Sequence, residues 1–370
     1  MIDREELGAW LRLVETPEIG LESARRLLAA FGSPQAAVAA STAARREVVG
    51  ADKALALATL PDTLAALLDT TIAWLRADAS GERRVIALGD PLYPAALLDI
   101  ADPPLLLYAQ GHAGLLQANA LAVVGSRNPT PQGTENARAF SAHLSAAGLT
   151  IVSGMALGID AAAHTGALEG AASTVAVVGT GLDIVYPRRN LALAHRIADK
   201  GLIVSEYSLG TPSMAQNFPR RNRIIAGLAR GTLVVEAALK SGSLITARLA
   251  NEGGREVFAI PGSIHSPQSR GCHALIKQGA KLVETAQDIL DELRLPARAA
   301  GPVTATAARP GAPDADPLLD ALGHDPATLD ALIARTGLGA AELSARLLGL
   351  ELEGRVARLP GQLFQRLTPG

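Results

Sequence analysis

Cysteine, aromatic residues and long apolar runs are all scarce in this sequence, and the scarcity excludes several classes of protein. Cys272 is the single cysteine among 370 residues, so disulfide bonds cannot hold the fold together. No apolar run approaches the roughly 18–20 residues that a membrane-spanning helix needs. The charged N-terminus, MIDREELGAW, is unlike a secretory signal. We therefore expect a cytoplasmic protein that does not enter the membrane.

A surplus of one charge is also missing, because 34 Lys and Arg nearly balance 36 Asp and Glu. The balance conceals a division along the chain. Residues 1–119 contain 10 basic and 15 acidic residues, residues 120–295 contain 17 and 13, and residues 296–370 contain 7 and 8. A basic surplus favours polyanionic partners such as nucleic acids, so the middle of the chain is where such a partner would bind.

Short aliphatic segments alternate with helix-like segments through this middle part. Their hydrophobicity is continuous, which is typical of strands buried on both faces of a parallel sheet. The predicted strands are Leu121–Gly125, Leu149–Ser153, Thr174–Gly179, Leu202–Ser205, Leu233–Glu236 and Glu256–Ile260. The predicted helices are Gln132–Ala147, Ile159–Leu168, Asn190–Lys200, Asn222–Ala229 and Leu244–Glu252. The alternation predicts a doubly wound, mostly parallel α/β sheet, and Val85–Leu88 and Leu105–Ala109 should extend one edge.

Smaller domains are predicted before and after the sheet domain along the chain. Residues 1–80 should form a helical domain, in which the turn at Pro17–Gly20 suits either a helix–hairpin–helix contact with DNA phosphates or plain helical packing. Residues 81–295 are assigned to the sheet domain. Residues 296–317, rich in Ala, Pro and Gly, are assigned to a linker. Residues 318–370 then show three helices and a β-wing, the outline of a winged helix.

Loops rich in glycine and serine follow the predicted strands, at the edge where doubly wound sheets bind their ligands. Glycine lets a backbone approach an anion closely, and N–H groups at helix N-termini carry partial positive charge. Arg127 and Lys240 add formal charge to two of these loops, which favours a phosphate-bearing ligand over a purely steric role. The other candidate residues in the loops are Gly125, Ser126, Ser153, Gly154, Gly158, Ser241, Gly242 and Ser243.

An arginine cluster, Arg220–Arg223, precedes an apolar helix and includes Asn222. Together with Arg188–Arg189 on an earlier loop, Arg221 and Arg223 could widen the crevice into a groove that suits a polyanion better than a mononucleotide. A surface face of ion pairs is the competing interpretation. Because aromatic residues form only 3% of the chain, Phe218 is the best candidate for stacking on a base, and binding should depend mainly on phosphates.

Familiar nucleotide and metal motifs are not found in the sequence. There is no GxxxxGK[ST] pattern, and no complete GxGxxG follows a strand, so neither a P-loop nor a dinucleotide site is expected. We expect no cofactor and assign no metal ligand. Asp160 and His164 are spaced i, i+4 and could form an acid/base or metal-binding pair. A helix cap and a structural hydrogen bond are the favoured roles for these two residues.

Taken together, these motifs resemble the DNA processing protein A family, also called DprA or Smf. The similarity covers roughly residues 80–290, and family members often carry a helical N-terminal domain and a winged-helix C-terminal domain. The matching stretches are Ala122–Arg127, Ser153–Asp160, Gly181–Asp183, Tyr186–Pro187, Ser205–Glu206, Asn217–Leu228, Val234–Ala237, Lys240–Ala247, Gly254–Val257, Pro261–Gly262 and Gly271–Cys272.

The resemblance implies a Rossmann-like, non-enzymatic protein that binds single-stranded DNA. It also implies a homodimer formed through the Rossmann-like domain, and the loading of a RecA-type recombinase during natural transformation. Arg127, Arg188, Arg223 and Lys240 match the family's DNA pocket. The alternative that the residues leave open is a nucleotide-processing hydrolase with Glu236 as its acid or base, since Rossmann-like folds also host such enzymes.

Overall fold

The computed structural model describes residues 2–78, 81–294, 316–323, 326–359 and 361–367. Except for Asp316 and Pro317, the predicted linker lies outside these residues.

The chain begins with short helices that cap their own N-termini. Asp3, Ser33 and Ser41 each accept a hydrogen bond from the backbone N–H three residues further on, which satisfies a donor that the helix leaves unpaired. Gly32, with φ near 83°, ends the second helix in the left-handed region that favours glycine. The helices are α1 (Arg4–Glu15), α2 (Leu21–Phe31), α3 (Pro34–Ala39), α4 (Thr42–Val49), α5 (Ala51–Ala58) and α6 (Leu64–Arg76).

Nine strands of the described residues form one sheet, in the order β1-β2-β6-β5-β4-β3-β7-β8-β9. Strands β1 and β2, at one end of the sheet, run antiparallel to their neighbours, whereas the others pair in parallel. The strands are β1 (Arg83–Ala87), β2 (Leu106–Gly111), β3 (Ala120–Val124), β4 (Thr150–Ser153), β5 (Thr174–Val177), β6 (Leu202–Ser205), β7 (Gly231–Val234), β8 (Glu256–Ala259) and β9 (Lys281–Leu282). This order confirms the predicted fold class, including the edge extension, and the six predicted strands of the parallel part agree to within two residues.

Helices cover both faces of the sheet, as continuous hydrophobicity in the strands requires. They are α7 (Pro131–Ala146), α8 (Ile159–Ala167), α9 (Leu191–Lys200), α10 (Asn217–Leu228), α11 (Ser243–Glu252), α12 (Arg270–Lys277) and α13 (Ala286–Glu292). The chain progresses outward from β3 through β4, β5 and β6, then returns to place β7 on the other side of β3. The order therefore reverses between β3 and β7, and ligands of doubly wound folds bind at such a point, beyond the carboxyl ends of the strands.

The predicted start of α10, at Asn222, was wrong by five residues. The helix begins at Asn217, and Pro219 lies in its first turn, where the missing N–H would have no intrahelical partner. The arginine cluster therefore lies on the helix instead of leading into it. Because successive residues of a helix point about 100° apart, its arginines cannot all face one crevice.

The N-terminal helices share a hydrophobic core with the edge of the sheet. Leu7 and Leu27 of the helices belong to one buried cluster with Leu106 and Tyr108 of β2. The ring of Trp74 meets Tyr108 edge-on, with centroids 6.1 Å apart. The helices before the predicted boundary at residue 80 and the sheet after it therefore share one hydrophobic core.

Residues 316–367 form a second, smaller α/β unit within its described parts. Its elements are α14 (Pro317–Leu322), β10 (Ala327–Thr328), α15 (Leu329–Thr336), α16 (Ala340–Leu352), β11 (Val356–Leu359) and β12 (Leu363–Arg366). Gly337, with φ near 71°, ends α15, and β11 and β12 pair antiparallel as the predicted wing. The core contains Leu332, Leu343 and Phe364, and the winged-helix prediction is confirmed.

Among the helices that the structure describes, none combines the length and the apolar character needed to cross a bilayer.

Candidate nucleic-acid interface

An open cavity of about 820 Å³ lies at the carboxyl edge of the sheet, where the strand order reverses. The loop after β3, the loop after β7 and the first turns of α10 line it. Ten of the predicted residues meet in this cavity. They are Gly125, Ser126, Arg127, Phe218, Arg221, Asn222, Lys240, Ser241, Gly242 and Ser243.

Arg127 stands at the cavity mouth beside two aromatic rings. Its guanidinium carbon lies 5.8 Å from the centre of the Phe218 ring, and the Phe218 and Tyr186 ring centres are 5.5 Å apart with a 41° tilt. Arg127 is exposed, and within the described residues it forms no ion pair. We call Arg127, Phe218 and Tyr186 the aromatic rim. Together they offer a cation to a phosphate and π faces to a base.

Tyr186 is the main residue of the site that the sequence analysis did not assign. It lines the cavity, and with Pro187 it also walls a small side pocket that Gly154 and Arg127 share. An exposed aromatic residue two positions before Arg188 was the available signal. Its value depended on knowing that the loop after β5 returns to Phe218, which only the fold reveals.

Lys240 extends into the cavity from the opposite wall, on the loop that leads into α11. The side-chain amide of Asn222 donates to the carbonyl of Gly242 at 3.4 Å and thereby ties α10 to this loop. The backbone N–H groups of Ser241, Leu244 and Ile245 already donate to carbonyls within the loop. We therefore expect the Lys240 ammonium and the serine hydroxyls, more than the loop amides, to hold an anion here.

Arg221 forms the floor of the cavity and is buried, with 4% of its surface exposed. Its Nη2 donates to the carbonyl of Gly154 at 3.0 Å. Burial lowers the pKa of Arg221 to about 10, and the nearby charge of Asp160 opposes that shift. Asp160 is buried as well, and burial raises the pKa of its carboxyl group against the effect of Arg221. Arg221 therefore acts mainly to position the loop after β4, while adding positive potential beneath the cavity.

Asp160 does not cap its own helix, contrary to the favoured interpretation of the sequence. One carboxylate oxygen accepts the backbone N–H groups of Gly154 and Ala156, at 3.2 and 3.3 Å. Asp160 is the second residue of α8, and Gly158 is the N-cap residue of that helix. Asp160 and Arg221 therefore hold the Gly154–Gly158 loop from two sides, one through its N–H groups and the other through a carbonyl.

Arg223 is not brought into the cavity, although the sequence assigned it to the DNA site. Its Nη1 donates to Glu206 at 3.1 Å, and its Nε lies 3.9 Å from Asp102. Only 13% of the side chain is exposed. Burial raises the pKa of Glu206, and the charge of Arg223 counteracts this shift. Two residues along a helix from Arg221 is about 200° around its axis, which explains why Arg223 faces the other way.

Three further predicted residues lie near the cavity without lining it. Ser153 is buried, and its hydroxyl donates to the carbonyl of Val123 at 2.7 Å. Gly158 has φ near 81°, and a Cβ there would lie 2.4 Å from the Ser126 carbonyl oxygen, so its role is steric. Arg188 is exposed on a short turn directly after Pro187, at the outer side of the aromatic rim.

The hydrolase alternative depends on Glu236, whose carboxylate is engaged elsewhere. One oxygen accepts the hydroxyl of Thr130 at 2.6 Å and the other accepts its backbone N–H at 2.9 Å. Burial raises the pKa of this carboxyl group, and the bonds from Thr130 counteract the shift. Glu236 thus fixes the start of α7, and it is not among the residues lining the cavity. Glu236 is therefore not placed to act as the acid or base that the alternative assigned to it.

His164 makes the structural hydrogen bond that was predicted. Its Nδ1 lies 2.7 Å from the hydroxyl of Thr174, which itself donates to the carbonyl of Ile151. Nδ1 must therefore carry the proton and donate to Thr174. Burial, aided by the charge of Arg221, lowers the pKa of His164 to about 3. Among the described residues no cluster of three or more His, Cys, Asp or Glu could hold a metal ion.

This pKa predicts that His164 makes the protein less stable in mild acid. Between its usual pKa near 6.5 and about 3, the unfolded chain binds a proton that the folded chain does not, so the free energy of unfolding falls as the pH falls. Asn at this position can keep the bond to Thr174 without titrating. We expect the stability advantage of wild type over His164→Asn to shrink by about 2 kcal/mol between pH 6.5 and about pH 5.

Urea unfolding at several pH values measures this difference and removes the contributions of buried carboxyl groups, which wild type and variant share. The exposed His143 provides a matched control for replacing a histidine by asparagine, as His143→Asn. A difference for His164→Asn that stays constant with pH would contradict the buried neutral state.

The fold and the site define a class of protein: a doubly wound α/β protein with a cationic, aromatic-rimmed groove at its switch point, an N-terminal helical unit and a C-terminal winged helix. Family models give the class a name. Residues 84–294 match the family described as DNA recombination-mediator protein A. Residues 4–51 match the DprA-like N-terminal HHH domain, and residues 302–362 match the DprA winged helix domain. The chain belongs to the DprA/Smf family of recombination mediators.

Individual relatives agree with this assignment. Protein Smf of Escherichia coli is 41% identical over 300 residues, which cover 80% of this chain and 79% of that protein. DNA processing protein DprA of Streptococcus pneumoniae is 50% identical over 203 residues, 55% of this chain and 72% of its own. The X-ray structure of the pneumococcal protein superposes with a TM-score of 0.67 at 38% identity, covering 79% of this chain and 98% of that one.

A second solved structure is also similar to this chain. DNA processing protein A of Helicobacter pylori superposes with a TM-score of 0.53 at 31% identity, covering 58% of this chain and 96% of that one. That protein is described as having a unique single-stranded DNA binding mode.

Proposed function

We propose that this protein binds single-stranded DNA in the groove and delivers it to a RecA-type recombinase in the cytoplasm, without catalysing a reaction. The observation that carries the proposal is the aromatic rim at the mouth of a cavity whose other wall presents Lys240. The single-stranded DNA binding of the Helicobacter pylori relative supports it.

The rim favours a single strand over a duplex for a geometric reason. Base faces are stacked on one another in a duplex and become available only when a strand is unpaired. Phe218 and Tyr186 can then stack on a base while Arg127 holds the adjoining phosphate. Lys240 would hold a second phosphate across the cavity. Because the proposed contacts are to phosphates and base faces, we expect little sequence preference.

The binding test compares a single strand of about 20 nucleotides with its duplex by fluorescence anisotropy. Tighter binding of the single strand is expected. Two phosphate contacts give a slope of about −1.4 for log K against log salt concentration, measured between about 50 and 200 mM. Equal affinity for both forms, or affinity independent of salt, would refute the proposal.

We also propose that the protein is a homodimer, assembled through its Rossmann-like domain. The two-residue strand β9 ends the sheet, and both its residues are exposed, Leu282 to 44%. Ile264, on the loop after β8, is exposed to 74%. An open sheet end next to apolar surface is suited to pairing with a second copy.

Sedimentation of wild type beside Leu282→Lys tests the dimer, since the lysine should give a monomer with unchanged thermal stability.

Recombinase loading is tested by adding this protein to single strands already coated with a single-strand-binding protein. Faster filament assembly is expected, and an unchanged rate would exclude that part of the proposal.

A further inference from the structure

Beyond the groove, the outer face of α9 and the turn before it carry a concentration of basic side chains. Arg188 and Arg189 on the turn, and Arg196 and Lys200 on the helix, are all exposed. Within the described residues none of the four forms an ion pair. A positive face that the fold leaves unneutralised is notable in a chain with a net charge of −2.

Two of these side chains share a face of α9. Arg196 and Lys200 are four residues apart, close to one turn of the helix, and Arg189 lies on the turn before it. We call these three residues the basic line. On the opposite side of α9, Ala194 and Ile197 are buried in a cluster with Ala176 and Ile203 of the sheet. The basic line therefore faces outward, and Asp199 is the acidic neighbour beside it.

The line begins where the groove ends. Tyr186 and Pro187 wall the side pocket next to Arg127 and Phe218, and Arg188 follows directly. The helix starts at this edge because it follows β5, and it ends before β6, at the opposite edge of the sheet. At 1.5 Å per residue its ten residues span about 15 Å. A strand leaving the aromatic rim would thus meet further cations along its path.

We propose that the outer face of α9 is a second phosphate-binding track, which continues the groove and holds the backbone of a longer single strand. The inference rests on the proposed function and extends it, since it assigns to the protein a footprint larger than the cavity. The contacts are electrostatic and indifferent to sequence. Helix α9 contains no Phe, Tyr or Trp, so the track binds mainly the backbone.

The test uses two oligonucleotides, one of about 6 and one of about 25 nucleotides, within and beyond the range that a single binding module covers. The variant Arg196→Ala/Lys200→Ala should bind the short strand as wild type does. It should bind the long strand roughly fivefold more weakly, with a salt slope reduced by about 1.4, the contribution of two phosphates. Replacing Arg196 by lysine and keeping Lys200 should retain most of the binding.

A matched control removes two exposed basic residues from the N-terminal helices, as Arg26→Ala/Arg46→Ala. An equal loss in the control would overturn the track, because it would show a general charge effect. An equal loss for both strand lengths would also overturn it, because α9 would then act through the groove. Unchanged long-strand binding with impaired recombinase loading would overturn it in favour of a protein-binding surface.

The proposed function fails separately from the track. Its failure would appear as unchanged short-strand binding in Arg127→Ala, whatever the α9 variants do.

Discussion

Replacing Arg127 by alanine is expected to weaken single-stranded DNA binding by about 10- to 100-fold. Arg127 is the exposed cation at the cavity mouth, and its guanidinium lies over the Phe218 ring. A hydrogen bond to a charged group contributes about 1.5–3 kcal/mol, and each 1.4 kcal/mol is a factor of ten in affinity. Loss of one phosphate contact should also reduce the salt slope by about 0.7.

Fluorescence anisotropy titrations at several salt concentrations measure both effects. Arg230→Ala is the matched control, because Arg230 is exposed on the same domain but immediately precedes β7, at the opposite edge of the sheet. Its affinity and slope should remain those of wild type. If Arg127→Ala leaves both quantities unchanged, the DNA does not bind in this cavity.

Gly154→Ala is expected to cause the largest loss of stability, about 3–5 kcal/mol. A Cβ at Gly154 would lie 1.6 Å from Nη1 of Arg221, so the guanidinium would have to leave its place. Arg221 is buried near the charge of Asp160, and it donates to the Gly154 carbonyl. Displacing the guanidinium breaks that bond and leaves buried charge uncompensated, which typically costs this much. The first effect would be on folding, and DNA binding would weaken as the cavity floor moves.

Thermal and urea unfolding measure the loss, and Gly114→Ala is the control because a Cβ at Gly114 meets nothing within 4 Å. A double-mutant cycle with Arg221→Ala sharpens the test. Once the guanidinium is absent, the methyl group added by Gly154→Ala has room, so the double variant should be less destabilised than the two single variants together. Additive losses would show that the overlap with Arg221 is not the cause.

Much of the fold could be predicted because buried parallel strands have a strong sequence pattern. Continuous aliphatic runs such as Leu202–Ser205 can hardly be anything else between glycine-rich loops, and the topology then gathers their carboxyl ends. Arg127 and Lys240 were brought together by this argument alone. What the pattern could not supply was the direction of each side chain around α10.

The assignments that differed from the structure share one physical cause. The sequence placed the start of α10 at Asn222, whereas the helix begins at Asn217 and turns Arg223 toward Glu206. The roles of Asp160 and Glu236 depend on partners outside their own helix or strand. Asp160 accepts amides of its own preceding loop, and Glu236 accepts a residue 106 positions away. Local propensity carries no information about such partners.

The packing between the N-terminal helices and strands β1 and β2 has a consequence for how the chain can be divided. Arg25 of α2 bonds to Asp102 at 2.9 Å, and Ser208 donates to Glu15 at 2.6 Å, so polar bonds reinforce the shared apolar core. A fragment cut at residue 80 would expose the ring of Tyr108 and the leucines beside it to water, an aggregation hazard. The smallest fragment that we expect to fold without aggregating is therefore residues 2–294. Its helical and Rossmann-like parts should unfold in a single thermal transition.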